Sequence, residues 1–289
     1  MKAKFEALWT LETNSFNASI QEKRQFDVPL HYHPEYELTY ILQSRGTRYV
    51  GNSFEPFKEN DLVLLGPDLP HCWKNNVRQK GMAKAIVIHW DKNFLGRDWV
   101  ECKEFDAIKK MFHHSKRGVK FKSAAATEFK NNLIHLTRLS PFERLISFLQ
   151  ILQSLAATSD HTVFCSEDFT YDLNYVDNGR VNIAYQYVKK NFANKIALAD
   201  VAKQVNMGEE SFSRFFSRVV RKPFFYFLNE HRINHACRLL QETDKNVAQI
   251  CFTSGFESLP FFFRQFKKMK NCTPKKYRFM YKQAASADV

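Results

Sequence analysis

The chain has 289 residues, 44% of them apolar and 25% charged, which suits a globular protein of about two domains and excludes a disordered tail or a collagen-like polymer. Its net charge of +13 is uneven, because residues 179–289 hold 20 Lys and Arg against 8 Asp and Glu, whereas residues 1–178 hold 23 against 22. A basic segment beside a neutral one indicates a polyanion-binding domain joined to a domain with another task.

The N-terminal segment lacks the features of a targeting sequence. Glu6 and Glu12 interrupt it, and no continuous apolar core precedes a small-residue cleavage site, so we expect a protein that stays in the cytoplasm. The longest apolar candidate for a membrane span, residues 145–158, contains serine and glutamine and is shorter than the ~20 apolar residues that a bilayer requires. The sequence therefore predicts no membrane partner.

Residues 26–89 have the pattern of short β-strands. Four apolar runs, ELTYIL, TRYVG, DLVLLG and KAIVIH, are separated by the turn-prone segments SRG, VGNS and ENDL. Several short strands at close spacing predict a small barrel or a sandwich.

Two histidine-containing motifs lie among these strands. The segment HYHPEYE places His31, His33 and Glu37 in the pattern HxHxxxE, and PDLPHCWKN adds His71. These segments resemble the two cupin motifs, although Asn60 stands where such domains usually have a glycine before DLVLL. Imidazoles and a carboxylate are common ligands of a divalent transition metal. The alternative is that these groups line a barrel mouth and hydrogen-bond a ligand or each other.

The resemblance to regulatory cupins, which commonly lack a metal, favours the second alternative. We therefore expect no metal and a pocket for a small effector, since aromatic faces and polar donors suit a sugar or another small polar molecule. The residues expected to bind the effector are His31, His33, Glu37, Tyr40, Tyr49, His71 and Trp73.

Two helices are predicted after the strands, over residues 128–139 and 141–157. The second has an apolar stripe at helical spacing. The segment that follows, residues 159–179, is polar and acidic and is predicted to be a flexible linker.

Two stretches of the basic segment repeat each other. Asn206 in the first corresponds to Gly255 in the second at an offset of 49 residues, and Phe212 corresponds to Phe262 at an offset of 50. A sharp bend between packed helices needs a residue at positive φ, which glycine adopts freely and asparagine tolerates. Each stretch therefore predicts a helix-turn-helix unit, whose second helix can lie in the major groove of DNA.

A long helix over residues 223–240 is predicted between the two stretches. Pro223 stands at its start, where a missing N–H is tolerated. The apolar residues of this helix would hold the two units in a fixed relation.

The stretch RINHACRLLQETDKNVAQICFTSGFESLPFFFRQFKKMKNCTPKKYR resembles the C-terminal signature of AraC-type bacterial transcription regulators, the AraC/XylS family. The residues that carry the resemblance are Arg232, Ala236, Leu239, Leu240, Ile250, Gly255, Phe256, Phe262, Arg264, Phe266, Pro274, Tyr277 and Arg278. It covers about residues 179–281 and implies two units that contact successive major-groove segments on one face of DNA. A cupin-like domain ahead of them is similar to the sensor arm of that family. In similar regulators a helix such as 141–157 pairs two subunits, and packing against its own barrel is the alternative.

The second helix of each unit supplies the candidate DNA contacts. Arg264 is the predicted base reader, because arginine to guanine is the commonest specific contact, and a phosphate contact or a solvated side chain is the alternative. Phe261 would touch a thymine methyl group or pack beneath the start of its helix. In the first unit Glu209 and Glu210 favour a helix N-terminus but repel phosphate, and Glu210 could alternatively accept from cytosine N4. The predicted DNA-binding residues are Ser211, Arg214, Arg218, Phe261, Arg264, Gln265, Lys267 and Lys268.

The sequence thus predicts an α+β chain in which an N-terminal cupin-like β-barrel precedes an all-α domain with two helix-turn-helix units. The expected domains are a cupin-like effector-binding domain over residues 1–112, a helical dimerisation or linker region over 113–178 and the DNA-binding domain over 179–289. The expected function is sequence-specific transcription regulation, as an activator that responds to a small molecule such as a carbohydrate. No enzyme activity, catalytic residue or cofactor is expected.

The expected partners are promoter double-stranded DNA, the effector, a second copy of the chain in a homodimer and RNA polymerase. Two alternatives remain. One is a metal-dependent cupin enzyme tethered to a DNA-binding domain, and the other is an effector-free DNA-binding protein whose barrel only dimerises.

Overall fold

The computed structural model describes residues 3–8, 15–26, 28–75, 82–166 and 175–287. The chain forms two compact units, Met1–Asp172 and Leu173–Val289. The first combines strands with helices and the second is helical, so the α+β class is confirmed. Among the described residues, none of the helices has both the length and the apolar character needed to cross a membrane.

The described part of the N-terminal unit contains eleven strands. They are β1 Lys4–Phe5, β2 Phe16–Lys23, β3 His31–Tyr32, β4 Tyr36–Gln43, β5 Gly46–Val50, β6 Ser53–Phe57, β7 Leu62–Leu65, β8 His71–Asn75, β9 Ala83–Trp90, β10 Val119–Phe121 and β11 His161–Val163. Hydrogen bonds join them into two sheets, with the orders β1-β3-β8-β5-β6 and β11-β10-β7-β4-β9-β2. The described ladders therefore do not show the predicted closed barrel, because β1 and β6 end one sheet and β11 and β2 end the other without a ladder between the sheets.

The six-stranded sheet is buried on both faces. In β4, Leu38 and Tyr40 belong to a core shared with helices, whereas Ile41 belongs to a core shared with Val50 and Trp73 of the five-stranded sheet. Successive residues of a strand face opposite sides, so one strand serves both cores. Strands covered on both faces are continuous apolar runs, which explains why ELTYIL, DLVLLG and KAIVIH were recognisable as strands.

Three helices complete the N-terminal unit: α1 Asp106–Ser115, α2 Ser123–Leu136 and α3 Pro141–Ala157. Helix α3 has the predicted bounds, α2 begins earlier than predicted, and α1 was not predicted. Phe148 of α3 is fully buried and stacks on Phe16 of β2 with ring centroids 4.3 Å apart. One face of α3 thus packs on its own sheet, while Phe142 is 74% exposed.

The predicted flexible linker over residues 159–179 is wrong at both ends. Strand β11 pairs antiparallel with β10, which extends the six-stranded sheet, and helix α4 begins at Tyr175. The central part, residues 167–174, lies outside the described residues. Composition misled the prediction because a short edge strand needs little apolar surface.

The C-terminal unit has seven helices in its described part. They are α4 Tyr175–Asn191, α5 Leu198–Gln204, α6 Glu209–Val220, α7 Phe224–Glu242, α8 Val247–Thr253, α9 Leu259–Lys270 and α10 Pro274–Ala287. The predicted repeat is observed, and each copy has one more helix before the two predicted ones, α4 in the first copy and α7 in the second. Val181 and Val188 of α4 are buried as Ile233 and Leu240 of α7 are, at an offset of 52 residues. Each repeat is therefore a group of three helices, α4–α6 and α7–α9.

Helix α7 contributes to the cores of both repeats. Near its start, Phe224 and Phe227 pack on Phe216 of α6, with ring centroids 5.4 and 5.2 Å apart. Further along, Ile233 and Leu240 lie in a second core formed with α8 and α9. The long helix predicted between the two units thus anchors each of them through buried side chains.

Candidate functional site

The turns inside the two helix-turn-helix units have the predicted backbone geometry. Asn206 has φ of 53° and Gly255 has φ of 81°. The space at Gly255 is also closed, because a Cβ there would lie 2.2 Å from the carbonyl oxygen of Phe192. Arg232 donates hydrogen bonds of 2.8 Å to that carbonyl and to the carbonyl of Asn194. The second turn is therefore packed against the backbone that follows α4.

Helix α9 presents a basic face to solvent. Phe262 and Phe266 are fully buried and define its inner side. Arg264, Lys267 and Lys268 are exposed, as the helical period requires of residues opposite the buried stripe. Three of the predicted DNA-binding side chains therefore lie where a polyanion can reach them.

Two other predicted contacts of α9 lie at the edge of this face. Phe261 and Gln265 are half-buried, and the Phe261 ring is 6.1 Å from that of Phe256 and 5.7 Å from the guanidinium carbon of Arg264. These contacts favour the alternative in which Phe261 packs beneath the start of the helix. Phe263, which was not predicted, is 41% exposed.

Helix α6 places its predicted contacts in the same way. Ser211, Arg214 and Arg218 are exposed. The helix begins at Glu209, so both Glu209 and Glu210 lie in its first turn, where the helix dipole stabilises carboxylates. Glu210 Oε2 is also 3.9 Å from a guanidinium nitrogen of Arg214, in an exposed pair.

The histidine motifs of the N-terminal unit come together between the two sheets. Strand pairing sets His31 of β3 opposite His71 of β8 in one sheet, and Glu37 of β4 opposite His89 of β9 in the other. His33 lies between β3 and β4. One ligand atom from each of the four motif residues falls within 4.8 Å of the others. His89 is an additional member that the sequence argument missed.

The Glu37 carboxylate is the centre of this cluster. Its Oε2 atom lies 3.1 Å from His33 Nε2, 3.3 Å from His71 Nε2 and 2.9 Å from His89 Nε2. The other oxygen accepts a hydrogen bond of 2.6 Å from the hydroxyl of Thr39. The carboxylate, His33 and His71 are almost completely buried.

Backbone contacts orient three of the histidine rings. The Nδ1 atoms of His31, His33 and His71 lie 2.9, 3.1 and 2.7 Å from backbone carbonyl oxygens. A carbonyl oxygen only accepts, so each Nδ1 carries a hydrogen, and the Nε2 atoms of His33 and His71 are turned toward Glu37. Histidines that bind metals are commonly oriented by such an Nδ1–H to carbonyl bond.

Burial also controls the protonation of the cluster. Burial, followed by the charge of His71, lowers the pKa of His31 to about 4, and burial lowers the pKa of His33. Burial alone would raise the pKa of Glu37, but His71, His33 and His89 outweigh it and hold this pKa well below its ordinary value. The cluster thus combines an ionised carboxylate with imidazole nitrogens, which are residue types that bind a divalent transition metal.

A cavity of about 120 Å³ adjoins the cluster. Its polar wall includes His31, Glu37 and His89, and no Lys or Arg is among the lining residues in the part of the chain that the structure describes. Trp73 also lines it, is 8% exposed, and has no hydrogen-bond acceptor for its Nε1 among the described residues. The remaining lining residues are Glu6, Leu8, Gln21, Phe26, Val28, Thr39, Ile41, Ala85 and Val87.

Of the residues predicted to bind the effector, His33 and His71 belong to the cluster but do not line the cavity, and two tyrosines lie away from both. Tyr40 follows Thr39 on β4 and so faces the helical core, where its hydroxyl donates a 2.7 Å hydrogen bond to Asn60. Asn60 has φ of 64°, the left-handed conformation for which glycine is usual. Tyr49 packs on Phe54 with ring centroids 4.7 Å apart. Neither tyrosine lines the cavity.

Two turns, each of which leads into a helix with exposed arginine side chains, define the C-terminal unit as a pair of helix-turn-helix DNA-binding units. Residues 201–279 match the family model described as a helix-turn-helix domain. Residues 201–279 therefore carry a helix-turn-helix domain, the kind of domain that binds DNA.

Curated relatives agree with this class. An uncharacterized HTH-type transcriptional regulator of Staphylococcus aureus (strain COL) is 32% identical over 111 residues, which are 38% of this chain and 15% of that protein. The uncharacterized HTH-type transcriptional regulator YdeC of Bacillus subtilis (strain 168) is 27% identical over 105 residues, 36% of each chain. The match thus spans 15% and 36% of the length of these relatives.

A solved structure is similar along most of the chain. Apo ToxT from Vibrio cholerae aligns with 93% of this chain and 98% of its own, with a TM-score of 0.50 and 15% sequence identity. At this identity the similarity concerns the fold alone, a strand-rich N-terminal part followed by a helical C-terminal part.

Proposed function

We propose that the whole chain is an effector-responsive transcription activator of the AraC/XylS family, with a cupin-like sensor at its N-terminus. The observation that carries the proposal is the presence, in one chain, of two helices with exposed arginine side chains anchored on α7 and of a partly open pocket in a separate unit. The proposed domains are Met1–Asp172 for the sensor and Leu173–Val289 for DNA binding, because boundaries at residues 112 and 178 would cut helices α1 and α4.

The C-terminal unit supports recognition of two adjacent DNA segments. Arg214 and Arg218 on α6, and Arg264 and Lys268 on α9, are all exposed. Since α7 is anchored in both repeats, the two helices keep a constant spacing. Two major-groove segments about one helical turn apart, ~10 bp, would accommodate them.

The pocket supports a small uncharged effector such as a carbohydrate. Among the described residues no Lys or Arg lines the cavity, and Glu37 is ionised, so this wall disfavours an anionic ligand. The indole N–H of Trp73 needs an acceptor, which a hydroxyl or carbonyl oxygen of the effector supplies. Phe26 and Val87 provide apolar surface for its carbon skeleton.

A divalent transition metal is a second candidate occupant of the N-terminal unit. The specific observation in its favour is that Nδ1–H of His31, His33 and His71 is bonded to the backbone, which leaves the Nε2 atoms of these rings, once deprotonated, to bind an ion together with the Glu37 carboxylate. These four residues would hold the ion. When bound, it would supply positive charge that attracts an acceptor group of the effector.

The metal candidate has its own test in the purified full chain. Elemental analysis after exposure to Co²⁺ or Zn²⁺ would give a stoichiometric ion in the wild type and a loss in His71→Gln. The matched control is His135→Gln on α2, which removes an exposed imidazole that does not belong to the donor set. Equal metal content in all three proteins would exclude the site.

The remaining partners follow from the proposed activator role. A second copy of the chain would pair through α3, on which Phe142 and Ile146 are exposed at a spacing of one turn. RNA polymerase would be the partner at the promoter. Light scattering tests the homodimer: replacing Phe142 and Ile146 by Ala should shift the chain toward a monomer, and an unchanged mass would place the subunit contact elsewhere.

Binding of the full chain to randomised duplex DNA tests the proposal as a whole. A sequence-specific regulator should enrich a defined site, with an affinity that falls steeply as salt rises, because Lys and Arg displace condensed counterions. A thermal-shift screen of small carbohydrates and metabolites tests the sensor, since a ligand that binds the native state raises its melting temperature. Failure to enrich any sequence would contradict the proposed function.

A further inference from the structure

We infer that Phe263 determines specificity by contacting the C5 methyl group of a thymine in the DNA segment read by α9. This inference rests on the proposed function, because it presumes that α9 lies in the major groove. It assigns a contact to a residue that the sequence pattern did not single out, since Phe263 stands between the buried Phe262 and the predicted base reader Arg264.

Phe263 lies on the solvent side of α9. It follows Pro260 by three residues and precedes Lys267 by four, and both of these residues are exposed. Residues at these spacings share one face of a helix, so the phenyl ring lies beside Lys267, about 100° round the helix from Arg264. The ring is 41% exposed and lies 5.8 Å from the ring of Phe262, which supports it from the helix side.

The chemistry of the ring selects its contact in the groove. A phenyl group has no charge for a phosphate and no hydrogen-bonding atom for a base edge. In the major groove, the apolar group that distinguishes one base pair from another is the thymine methyl, and phenylalanine is among the residues that contact it. Single exposed apolar residues are common on protein surfaces, but on a face that enters the groove the ring meets the base edges.

Phe261 is the alternative reader of a methyl group, and its contacts argue against it. It is half-buried, and it is engaged by Phe256 on one side and by the Arg264 guanidinium on the other. Using it for DNA would require these contacts to break. Phe263 needs no rearrangement, since its exposed edge is already available.

The first repeat lacks an equivalent of this ring. The residue that corresponds to Phe263 at an offset of 50 is Ser213, which is half-buried and polar. The two DNA segments should therefore differ, with a methyl-dependent position only in the segment that α9 reads. A symmetric pair of half-sites is not expected.

The test uses the full chain and a duplex that it enriches from a randomised pool. Each thymine of this duplex is replaced singly by deoxyuridine, which removes the methyl group and keeps the base pair. One replacement should weaken wild-type binding about fourfold, the equivalent of ~0.8 kcal/mol for one buried methyl-sized group. The same replacement should leave the affinity of Phe263→Ala unchanged, whereas Phe261→Ala should keep the fourfold loss.

Controls separate this contact from folding and from the proposed function. An unchanged melting temperature and unchanged affinity for an unrelated duplex would show that Phe263→Ala is folded, and Phe263→Ser would mimic the first repeat. The inference is overturned if Phe263→Ala responds to every replacement as the wild type does, or if no replacement affects the wild type. A pool that yields no enriched sequence would instead overturn the proposed function, and this inference with it.

Discussion

The carbonyl oxygen of Phe192 lies 2.2 Å from the point where Gly255 would carry a Cβ atom. The same oxygen accepts a hydrogen bond of 2.8 Å from Arg232 Nε. Phe192, which directly follows the first helix of one repeat, is thus in contact with the turn of the other repeat. Only glycine at position 255 leaves room for its carbonyl oxygen.

Replacement of Gly255 by Val should destabilise the C-terminal unit severely. The variant combines a β-branched residue at positive φ with a clash against backbone, so the free energy of unfolding should fall by roughly 2–5 kcal/mol. Urea denaturation of the full chain measures it. The control is Gly208→Ser, since Gly208 has φ of −72° and no atom within 4 Å of a Cβ there. It should change stability by less than about 1 kcal/mol, and equal effects of both variants would refute the packing of the turn.

Arg264→Ala and Lys268→Ala should weaken DNA binding in different ways. Loss of the Arg264 guanidinium should cost ~1–3 kcal/mol and relax preference at one base position, whereas loss of Lys268 should weaken all sequences alike and reduce the salt slope by about 1. Competition binding with single-base variants of the selected duplex distinguishes them. Lys110→Ala, on the exposed side of α1, is the charge-matched control. If Arg264→Ala only lowers nonspecific affinity, Arg264 is a phosphate contact.

The stability of the C-terminal unit should depend on pH through His235. Burial, followed by the charges of Arg238, His231 and Lys245, lowers the pKa of His235 from 6.5 to about 4. Its Nδ1 lies 3.0 Å from the hydroxyl of Ser254. Between these two pH values the unfolded chain binds more protons, so the contribution of neutral His235 is complete above pH 6.5 and is lost as pH falls toward 4.

The variant His235→Gln isolates this effect. Because glutamine does not titrate, the free energy of unfolding of the variant should decline less than that of the wild type as pH falls, and the curves should approach each other. The exposed His135→Gln should follow the wild type throughout. Parallel curves for wild type and His235→Gln would show that His235 does not contribute to the pH dependence.

Trp73→Phe should remove the effector response while keeping the pocket wall. Phenylalanine retains an aromatic ring but lacks the N–H that has no acceptor among the described residues. For an effector found by thermal shift, we expect its affinity to fall by ~1–3 kcal/mol, the cost of an unmade hydrogen bond to a buried group. Promoter reporter assays should show a loss of dose response in Trp73→Phe and in His33→Ala. DNA binding without effector should be unaffected, and a normal response in both variants would place the effector elsewhere.

Local patterns account for much of the fold. The repeat in the C-terminal unit was predictable because a turn residue with positive φ and the phenylalanines that follow it recur at offsets of 49 and 50 residues. The doubly buried strands β4, β7 and β9 were predictable as apolar runs. Strand β2 was not predictable, because its sequence FNASIQEK has only three apolar residues, Phe16, Ala18 and Ile20. Its pairing with β9 is what makes it a strand.

The histidine cluster and its cavity could be predicted from the sequence only in part. His31, His33 and Glu37 were predictable as a group because they are close in sequence. His89 was not, since its contact with Glu37 depends on the register between β4 and β9, which joins residues 52 positions apart. Tyr40 was placed in the pocket by composition, but alternation along β4 turns it to the other face.

Strand β4 carries Glu37 and Thr39 on the cavity side and Leu38 and Tyr40 in the core that also contains Phe148 of α3. Because these residues alternate on one backbone, displacement of one row displaces the other. A ligand with unequal affinity for two positions of β4 therefore shifts the packing equilibrium of the helical layer. Thermodynamic reciprocity requires the converse: whatever holds α3 in one arrangement, including a second subunit, changes ligand affinity by the same factor.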